Sequence, residues 1–292
     1  MRPSGPAAHR RLAHRTARVP RARPAGTGPG AGHRTAGGGR RGAHRRRRVN
    51  RPVGAPRYGA GMTRFVLVAG ARLGAWAWDE VAAELRAAGH EVHPLTLSGL
   101  AEKQGVPAGQ RTHVQDIVEE VERLGPCDVV LVGHSYSGVP VGQAAERIGD
   151  RLARVVFVDA DVPVDGASFL SGWPSDHVRQ AIDANDGFWP VPKADAYAGQ
   201  DLTDEQIDRI VAGSTPHPGA TLTEPAVLER PLAELPATYV KCLLDGDELP
   251  PAVAEPLKSG NWELVTMDTG HWPMFSRPRE LARILHASAT GS

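Results

Sequence analysis

The stretch that decides the fold is Gly133-His134-Ser135-Tyr136-Ser137-Gly138, which lies between the apolar run Val129 to Val132 and a helical pattern from Val141 to Ile148. A serine between a buried strand and a helix sits on a sharp turn that exposes its hydroxyl at the carboxyl end of the sheet. The amino end of the following helix favours negative charge on a bound carbonyl. The stretch therefore predicts a nucleophilic Ser135 in a strained backbone conformation.

This turn departs from the G-x-S-x-G pattern at one position, because Ser137 stands where the pattern has its second glycine. Serine is small, so we expect the turn to accommodate it. Taken alone, the hexapeptide is equally compatible with a tight strand-to-helix turn that has no catalytic function. Two further stretches of the chain distinguish these interpretations.

The first of them is Asp268-Thr269-Gly270-His271-Trp272-Pro273, which follows the last apolar run and precedes the last helical pattern. His271 is therefore predicted at the carboxyl edge of the sheet, where Ser135 also emerges. A serine hydroxyl needs a base because it is scarcely ionised near neutral pH, and histidine titrates close enough to take and return the proton. We expect His271 to be that base.

The second is an acidic cluster that can supply the carboxylate needed to orient the imidazole and stabilise its cation. The run Thr238 to Leu244 ends in Asp245-Gly246-Asp247-Glu248. The sequence predicts Asp245, the first acid after this strand, as the third member of the catalytic group. Asp247 is the alternative, and Glu248 is expected to be solvated.

Two backbone donors are also needed to hold an oxyanion, and loss of one typically costs about 10²–10³ in rate. One is predicted to be the N–H of Tyr136, directly after the nucleophile. The other is expected in the loop after the first strand, where the N–H of Ala71 is the best candidate. Gly70 and Gly74 would let this loop approach the substrate closely.

Short Val- and Leu-rich runs alternate with helical patterns from residue 63 onward, which is typical of a parallel sheet with helices on both faces. Six strands are predicted: Phe65–Ala69, Glu91–Leu95, Asp128–Val132, Ala153–Val158, Thr238–Leu244 and Glu263–Met267. The predicted helices are Trp78–Ala88, Val114–Arg123, Val141–Ile148 and Pro278–His286. The sequence therefore predicts an α/β fold.

The alternation breaks between Asp161 and Pro236, and an insertion this long most often covers a pocket. We expect a cap over about residues 161–236, with a helix from Thr203, which can cap it, to Val211. Its aromatic residues either line a pocket or form a small satellite core. They are Phe169, Trp173, Phe188, Trp189 and Tyr197.

The first 61 residues differ in composition, since they hold 16 of the 34 basic side chains and no acidic one. The other 18 basic residues face 33 acidic ones, so residues 62–292 carry a net charge of −15 although the whole chain carries +1. Residues 1–61 are predicted to be a disordered Arg-, Gly- and Pro-rich extension. Such an arm can bind nucleic acid or act as a mitochondrial targeting peptide. We favour translation from Met62, which begins an α/β domain over residues 62–292.

The remaining composition predicts a soluble, cytoplasmic protein. No run approaches the roughly 20 apolar residues of a membrane span. Cys127 and Cys242 are isolated thiols that give neither a disulfide framework nor metal-ligand spacing. A reducing compartment and the lack of a bound metal are therefore expected.

The chain resembles the small α/β-hydrolases related to plant methyl-ester esterases and hydroxynitrile lyases. The resemblance rests on Val66 to Trp78, Gly133-His134-Ser135, Val158-Asp159-Ala160-Asp161-Val162-Pro163 and Gly270-His271, and it covers residues 63–286. It implies the α/β-hydrolase fold, a mostly parallel sheet with helices on both faces and an inserted helical cap. It also implies a cofactor-free Ser-His-Asp enzyme acting on small or medium, largely apolar esters. In these relatives the acid follows the strand that matches Thr238–Leu244, which favours Asp245, although its spacing to His271 is slightly short.

Two departures from these relatives bear on function. The family usually has a histidine where this chain has Ala69, so the hydrogen bonds that organise the oxyanion loop must differ. The lyase branch has a lysine directly after the catalytic histidine and a threonine in the oxyanion loop, where this chain has Trp272 and Gly70. An esterase is therefore favoured over a lyase.

The sequence thus predicts a carboxylic ester hydrolase that forms an acyl-enzyme on Ser135. Its predicted partner is a small-molecule ester, with no nucleic acid and no membrane, and the oligomeric state is left open, a homodimer included. The alternatives are a lyase with the same triad, a ligand-binding protein on the same fold and a nucleic-acid binder that uses the arginine-rich arm. A full triad argues against the second, and the acidic body against the third.

Overall fold

The computed structural model describes residues 62–126, 128–172 and 174–290. The predicted extension 1–61, Cys127 and Trp173 lie outside the described residues. The strands are β1 (Arg64–Val68), β2 (Glu91–Leu95), β3 (Val129–His134), β4 (Leu152–Val158), β5 (Phe188–Trp189), β6 (His217–Pro218), β7 (Ala237–Cys242) and β8 (Trp262–Met267). The α-helices are α1 (Asp79–Ala87), α2 (Gln110–Arg123), α3 (Gly138–Ile148), α4 (Asp176–Asp183), α5 (Asp204–Gly213), α6 (Gly219–Thr223), α7 (Pro251–Leu257), α8 (Pro273–Ser276) and α9 (Pro278–Thr290).

Six strands form one sheet in the order β2-β1-β3-β4-β7-β8, and every neighbouring pair in it is parallel. All six predicted strands are present in it, and the predicted fold class is confirmed. Because the strands are parallel, β1, β3, β4 and β7 end at the same edge of the sheet. The loops that follow them therefore meet there.

The core lies on both faces of this sheet, as alternation along β1 shows. Phe65 and Leu67 join the cluster under α1 and α9, whereas Val66 and Val68 join the cluster under α2 and α3. Successive side chains of a strand point to opposite faces, so a strand buried on both sides has to be apolar throughout. This explains why inner strands such as β3 stand out in the sequence as continuous apolar runs.

Two helices begin earlier than the sequence predicts, each for a local reason. The helix α2 starts at Gln110 rather than Val114, because a carboxylate oxygen of Glu224 accepts from the Gln110 N–H at 2.7 Å. This contact satisfies one of the donors that a helix start leaves unpaired. The helix α3 starts at Gly138, directly after the serine turn. The start of α5 is as predicted, since the Thr203 side chain accepts from the backbone N–H of Gln206.

The segment between β4 and β7 contains α4, α5, α6 and a two-stranded antiparallel sheet of β5 and β6. Three of its aromatic side chains contact the rest of the domain. Phe169 packs edge-on against Tyr136, Tyr197 packs on Trp272, and Trp189 lies beneath the guanidinium of Arg72. This segment, called the cap below, is therefore fixed to loops at the carboxyl edge of the sheet.

Candidate active site

The serine turn has the strained geometry that the sequence predicts. Ser135 directly follows β3 and has a φ of 54°, a region that non-glycine residues rarely adopt. The oxyanion loop, which follows β1, passes close by. A Cβ added at Gly70 would lie 2.9 Å from the Cβ of Ser135, so only glycine allows this approach.

Ser137 stabilises the same turn through its hydroxyl. The Oγ atom accepts from the backbone N–H of His134 at 2.8 Å and lies 2.8 Å from the carbonyl oxygen of Val68, to which it can donate. The turn is thereby tied to β1. The position that requires glycine is Gly138, one residue after Ser137, because a Cβ at Gly138 would overlap the carbonyl oxygen of Asp161. The glycine requirement has moved by one position, which explains the departure from G-x-S-x-G.

His271 connects this serine to a carboxylate. Its Nε2 lies 2.8 Å from the Oγ of Ser135, and its Nδ1 lies 2.7 Å from the Oδ2 of Asp159. With the Nδ1–H donating to the carboxylate, Nε2 is free to accept the serine proton. The His271 side chain is 25 % exposed and that of Asp159 is 8 % exposed, so the acid is shielded while the base remains accessible.

The predicted acid, Asp245, does not occupy this position, and that prediction is wrong. Asp159 takes it, directly after β4 and with a φ of 41° that directs its side chain toward the histidine loop. Asp245 is exposed, and its Oδ1 accepts from the Nε2 of Gln200 at 2.8 Å. The alternatives Asp247 and Glu248 are exposed as well. Because β4 and β7 are neighbouring parallel strands, carboxylates that follow either strand lie near His271.

The second oxygen of Asp159 is also bound. Oδ1 lies 3.3 Å from the Nζ of Lys241 and accepts from the backbone N–H of Cys242 at 3.2 Å. Burial on its own would raise the pKa of Asp159. The hydrogen bond and charge of His271, the charge of Lys241 and the Cys242 N–H outweigh burial and lower that pKa. The carboxylate is therefore ionised at neutral pH, as orientation of an imidazolium requires.

The backbone of His271 is held from two sides. The Nε2–H of His134 donates to its carbonyl oxygen at 2.8 Å, and its own N–H donates to the Oε1 of Gln200 at 2.6 Å. Burial lowers the pKa of His134 to about 3, so His134 is neutral and keeps this donor role. The serine turn and the cap thus fix the histidine loop between them.

The two predicted oxyanion donors are available. In the part of the chain that the structure describes, no hydrogen bond uses the backbone N–H of Ala71. Tyr136 lies in the first turn of a short 3₁₀ helix that begins at Ser135, where an N–H has no partner within the helix. The N–H of Arg72, in contrast, is already bound. The geometry thus leaves the Ala71 and Tyr136 amides for a ligand.

The cap supplies the hydrogen bonds that organise the oxyanion loop, in which Ala69 stands where the family usually has a histidine. The N–H of Arg72 donates to the Nδ1 of His217 at 3.0 Å, and the Thr215 N–H donates to the Arg72 carbonyl at 3.0 Å. The Nε2–H of His217 donates in turn to the Oγ1 of Thr221. Burial holds the pKa of His217 well below its usual value, so its Nδ1 stays an acceptor. Sequence reasoning missed this histidine because it lies about 145 residues from the loop.

Three side chains at this site could also be considered as ligands of a metal ion. Asp159, Asp245 and His271 each place one ligand atom within 4.8 Å of the others. Both ring nitrogens of His271 are already at hydrogen-bond distance from a protein oxygen. The arrangement favours proton transfer over metal binding.

Comparisons with known proteins identify relatives of this chain. The sequence profile described as "Alpha/beta hydrolase family" matches residues 65–284. The carbendazim hydrolyzing esterase of Nocardioides sp. (strain SG-4G) is 30% identical over 241 residues, which cover 77% of this chain and 99% of that protein. Methyl jasmonate esterase 1 of Vitis vinifera is 38% identical over 104 residues, covering 34% of this chain and only 40% of that protein.

Solved structures show the same fold at lower identity. An extracellular alpha/beta-hydrolase from a Paenibacillus species aligns with a TM-score of 0.67 and 23% identity, over 78% of this chain and 98% of that one. Among the described residues, no helix has the length and apolar character to cross a membrane. The predicted resemblance is confirmed, and the esterases among the relatives agree with the predicted enzyme class. A profile match over most of the domain, with a relative covered almost end to end, shows that the chain belongs to the alpha/beta hydrolase family.

Proposed function

We propose that this chain is a serine carboxylic ester hydrolase that acts on small to medium esters through an acyl-enzyme on Ser135. The observation that carries the proposal is the unbroken series of hydrogen bonds from Asp159 through His271 to Ser135. The relatives named as esterases support it. The predicted cytoplasmic location and the predicted small-molecule ester partner belong to this proposal; the exclusion of nucleic acid and membrane remains a prediction.

In the proposed reaction, the Oγ of Ser135 attacks the ester carbonyl carbon while its proton passes to the Nε2 of His271. Asp159 stabilises the imidazolium, and the amides of Ala71 and Tyr136 hold the oxyanion. The carbon–oxygen bond to the leaving group then breaks, and His271 gives its proton to the departing alkoxide. His271 next takes a proton from water as the resulting hydroxide attacks the acyl carbon. The bond from that carbon to Oγ then breaks, His271 returns the proton to Oγ, and the acid product leaves.

Two observations favour ester hydrolysis over cyanohydrin cleavage. The residue after His271 is Trp272, whose ring centre lies 5.0 Å from that of the imidazole, so an apolar side chain stands at this edge of the site. Lys241, the lysine that contacts the triad, is bound to the carboxylate of Asp159. Neither position offers an ammonium group to a leaving cyanide.

Replacement of the nucleophile tests the proposal. Ser135→Ala should lower kcat on a panel of aryl and methyl esters by about 10⁴-fold or more, because the residual rate comes from binding and the oxyanion donors alone. Ser259→Ala, which changes an exposed serine, is the matched control and should retain wild-type rates. A fluorophosphonate probe should add its mass to wild type and to Ser259→Ala only. Wild-type turnover by Ser135→Ala, or cleavage of cyanohydrins in place of esters, would refute the proposal.

A further inference from the structure

Arg72 places a guanidinium at the junction of the oxyanion loop and the cap. Its Cζ lies 3.2 Å from the ring centre of Trp189, and its Nε donates to the carbonyl oxygen of Pro190 at 2.9 Å. Its backbone N–H and carbonyl are also bound to the cap, through His217 and Thr215. With side chain and backbone both fixed, the guanidinium has a defined position directly after the proposed oxyanion donor Ala71.

Among the described residues, this guanidinium has no carboxylate as a counter-ion. In the described ranges, no carboxylate lies within the 4.0 Å reach of an ion pair with Arg72, and no protein hydrogen bond uses its Nη1 or Nη2. Burial lowers its pKa to about 10, so it is still charged at neutral pH. A largely buried charge without a partner is costly, and a ring face with one carbonyl offsets only part of that cost.

Arg209, in the cap, provides a comparison, because it is another arginine that lies near a tryptophan ring. Its guanidinium lies 5.9 Å from the ring centre of Trp76, so it too sits over a tryptophan. Two carboxylates accompany it, with Glu80 at 2.7 Å and Asp79 at 3.5 Å. Arg209 is exposed and paired, whereas the more buried Arg72 has no such carboxylate among the described residues. A missing counter-ion costs more at a buried position.

The position of Arg72 connects it to the reacting groups. Burial raises the pKa of the Tyr197 hydroxyl, and the nearby charge of Arg72 opposes that rise. The ring of Tyr197 packs on Trp272 at 4.7 Å, and Trp272 packs on His271 at 5.0 Å. On the other side, Gly70 brings the same loop against Ser135. Arg72 therefore belongs to the loop that contacts Ser135, and the rings of Tyr197 and Trp272 lie between it and His271.

We propose that Arg72 binds a second, negatively charged group of the substrate, so that the preferred esters carry a free carboxylate besides the ester that is cleaved. The Nη1 and Nη2 atoms form a planar fork that matches the two oxygens of a carboxylate. This inference rests on the proposed ester hydrolysis and narrows its substrates to esters that carry a free carboxylate, whereas the family resemblance implies largely apolar ones.

Two pairs of substrates test the inference with the full chain. 4-Nitrophenyl hydrogen glutarate and 4-nitrophenyl methyl glutarate differ in one charge on the acyl side. 4-Acetoxybenzoate and its methyl ester differ in one charge on the alcohol side. In at least one of the two pairs, wild type should have a kcat/KM about 10- to 100-fold higher for the anionic ester than for the neutral one, the range for a hydrogen-bonded ion pair. Arg72→Met should lower this ratio toward 1, chiefly through KM, whereas Arg209→Met should keep the wild-type ratio.

The ratio separates recognition of charge from a general loss of activity. If wild type shows no preference in either pair, or if Arg72→Met lowers both members equally, Arg72 only clamps the cap and the inference is wrong. If wild type hydrolyses neutral and anionic esters no faster than buffer, the proposed function itself fails. Protection against thermal unfolding by glutarate dianion gives a readout without turnover. It is expected for wild type and Arg209→Met and should be lost in Arg72→Met, and its absence in wild type would also count against the inference.

Discussion

Asp159 and Asp245 show how the position of one residue decides which carboxylate serves the histidine. Val158 pairs with Val240 across β4 and β7, so Asp159 follows the paired residue directly, whereas Asp245 comes five residues after it. The turn after β7, where Gly246 has a φ of 102°, leaves Asp245 at the surface. A buried carboxylate attracts a cation more strongly because less water screens the pair. The structure therefore assigns the acid position by burial as well as by distance.

Replacement of each aspartate by asparagine tests which of the two carboxylates serves His271. Asp159→Asn should lower kcat by about 10⁴-fold, because an amide at Nδ1 favours the wrong imidazole tautomer. Asp245→Asn changes an exposed side chain whose contact is Gln200, so kcat should stay within several-fold of wild type. Both rates are measured on one activated ester. A loss in Asp245→Asn as large as in Asp159→Asn would contradict the assignment.

Asp161 permits a prediction about stability at the same scale. Burial raises its pKa to about 6, with a further rise from Asp159 and a reduction from His271. Since the folded pKa exceeds that of the unfolded chain, folding binds a proton between about pH 4 and 6, and the ionised carboxylate lowers stability above that window. Asp161→Asn should therefore raise the free energy of unfolding at pH 8 by about 1–3 kcal/mol.

Urea unfolding of wild type and Asp161→Asn at pH 8 and pH 5 measures this effect. The gain should shrink at pH 5, where the wild-type carboxyl is largely protonated. The exposed Asp176→Asn provides the control and should show no pH-dependent gain. An equal gain at both values of pH would mean that ionisation of Asp161 is not the cause.

At the scale of elements, the cap holds the histidine loop in place. Gln200 accepts from the backbone N–H of His271 and donates to Asp245. A Cβ at Gly270 would lie 2.5 Å from the carbonyl oxygen of Gln200, so the two loops touch. Asp201 extends the contact by pairing with Arg277 at 2.8 Å. The cap thus supports the histidine loop as well as the oxyanion loop.

Two glutamines of the cap allow a matched test of this role. Gln200→Ala should lower kcat about 2- to 12-fold with little change in KM, because a hydrogen bond worth about 0.5–1.5 kcal/mol no longer orients the base. Gln206 also binds the core, donating to the carbonyl oxygen of Phe275, but it does not contact His271. Gln206→Ala should cost similar stability and leave kcat unchanged. Equal kcat values for the two variants would show that the Gln200 contact is only structural.

How much the sequence could predict differed from element to element. The inner strands were predictable because burial on both faces makes them apolar, and the Ser135 loop follows one of them. The edge strand β8, which precedes the His271 loop, is partly exposed, and its place in the alternation of strands and helices indicated it instead. The elements β5, β6 and α6 of the cap were not, since they are short and are held by distant contacts such as that of His217 with Arg72. For the acid, two signals were present in the sequence: Asp159 directly follows a strand, and the spacing from Asp245 to His271 is slightly short. Only the pairing of β4 with β7 shows that they compete for one position.

Across the whole molecule, several histidines are buried in the neutral form. Burial lowers the pKa of His113 to about 4 and that of His134 to about 3, and it also lowers the pKa of His217. These histidines contribute hydrogen bonds to Tyr136, His271 and Arg72, respectively. In the unfolded chain each titrates near 6.5. The unfolded state therefore binds protons first as pH falls, and this contribution to stability is complete above pH 6.5 and lost progressively below it.

Acid should therefore destabilise the protein by protonating these buried histidines. Protonation of His113 alone should lower the free energy of unfolding by about 3 kcal/mol by pH 4. We expect the free energy of unfolding, measured in urea between pH 7.5 and 4.5, to fall below pH 6.5. Its slope against pH should correspond to the uptake of more than one proton on unfolding. His113→Gln lowers stability at pH 7.5 but should flatten that slope by about one proton, while the exposed His177→Gln should leave it unchanged. The slope is decisive because loss of packing alone shifts stability equally at every pH. An unchanged slope in His113→Gln would mean that this histidine does not link folding to pH.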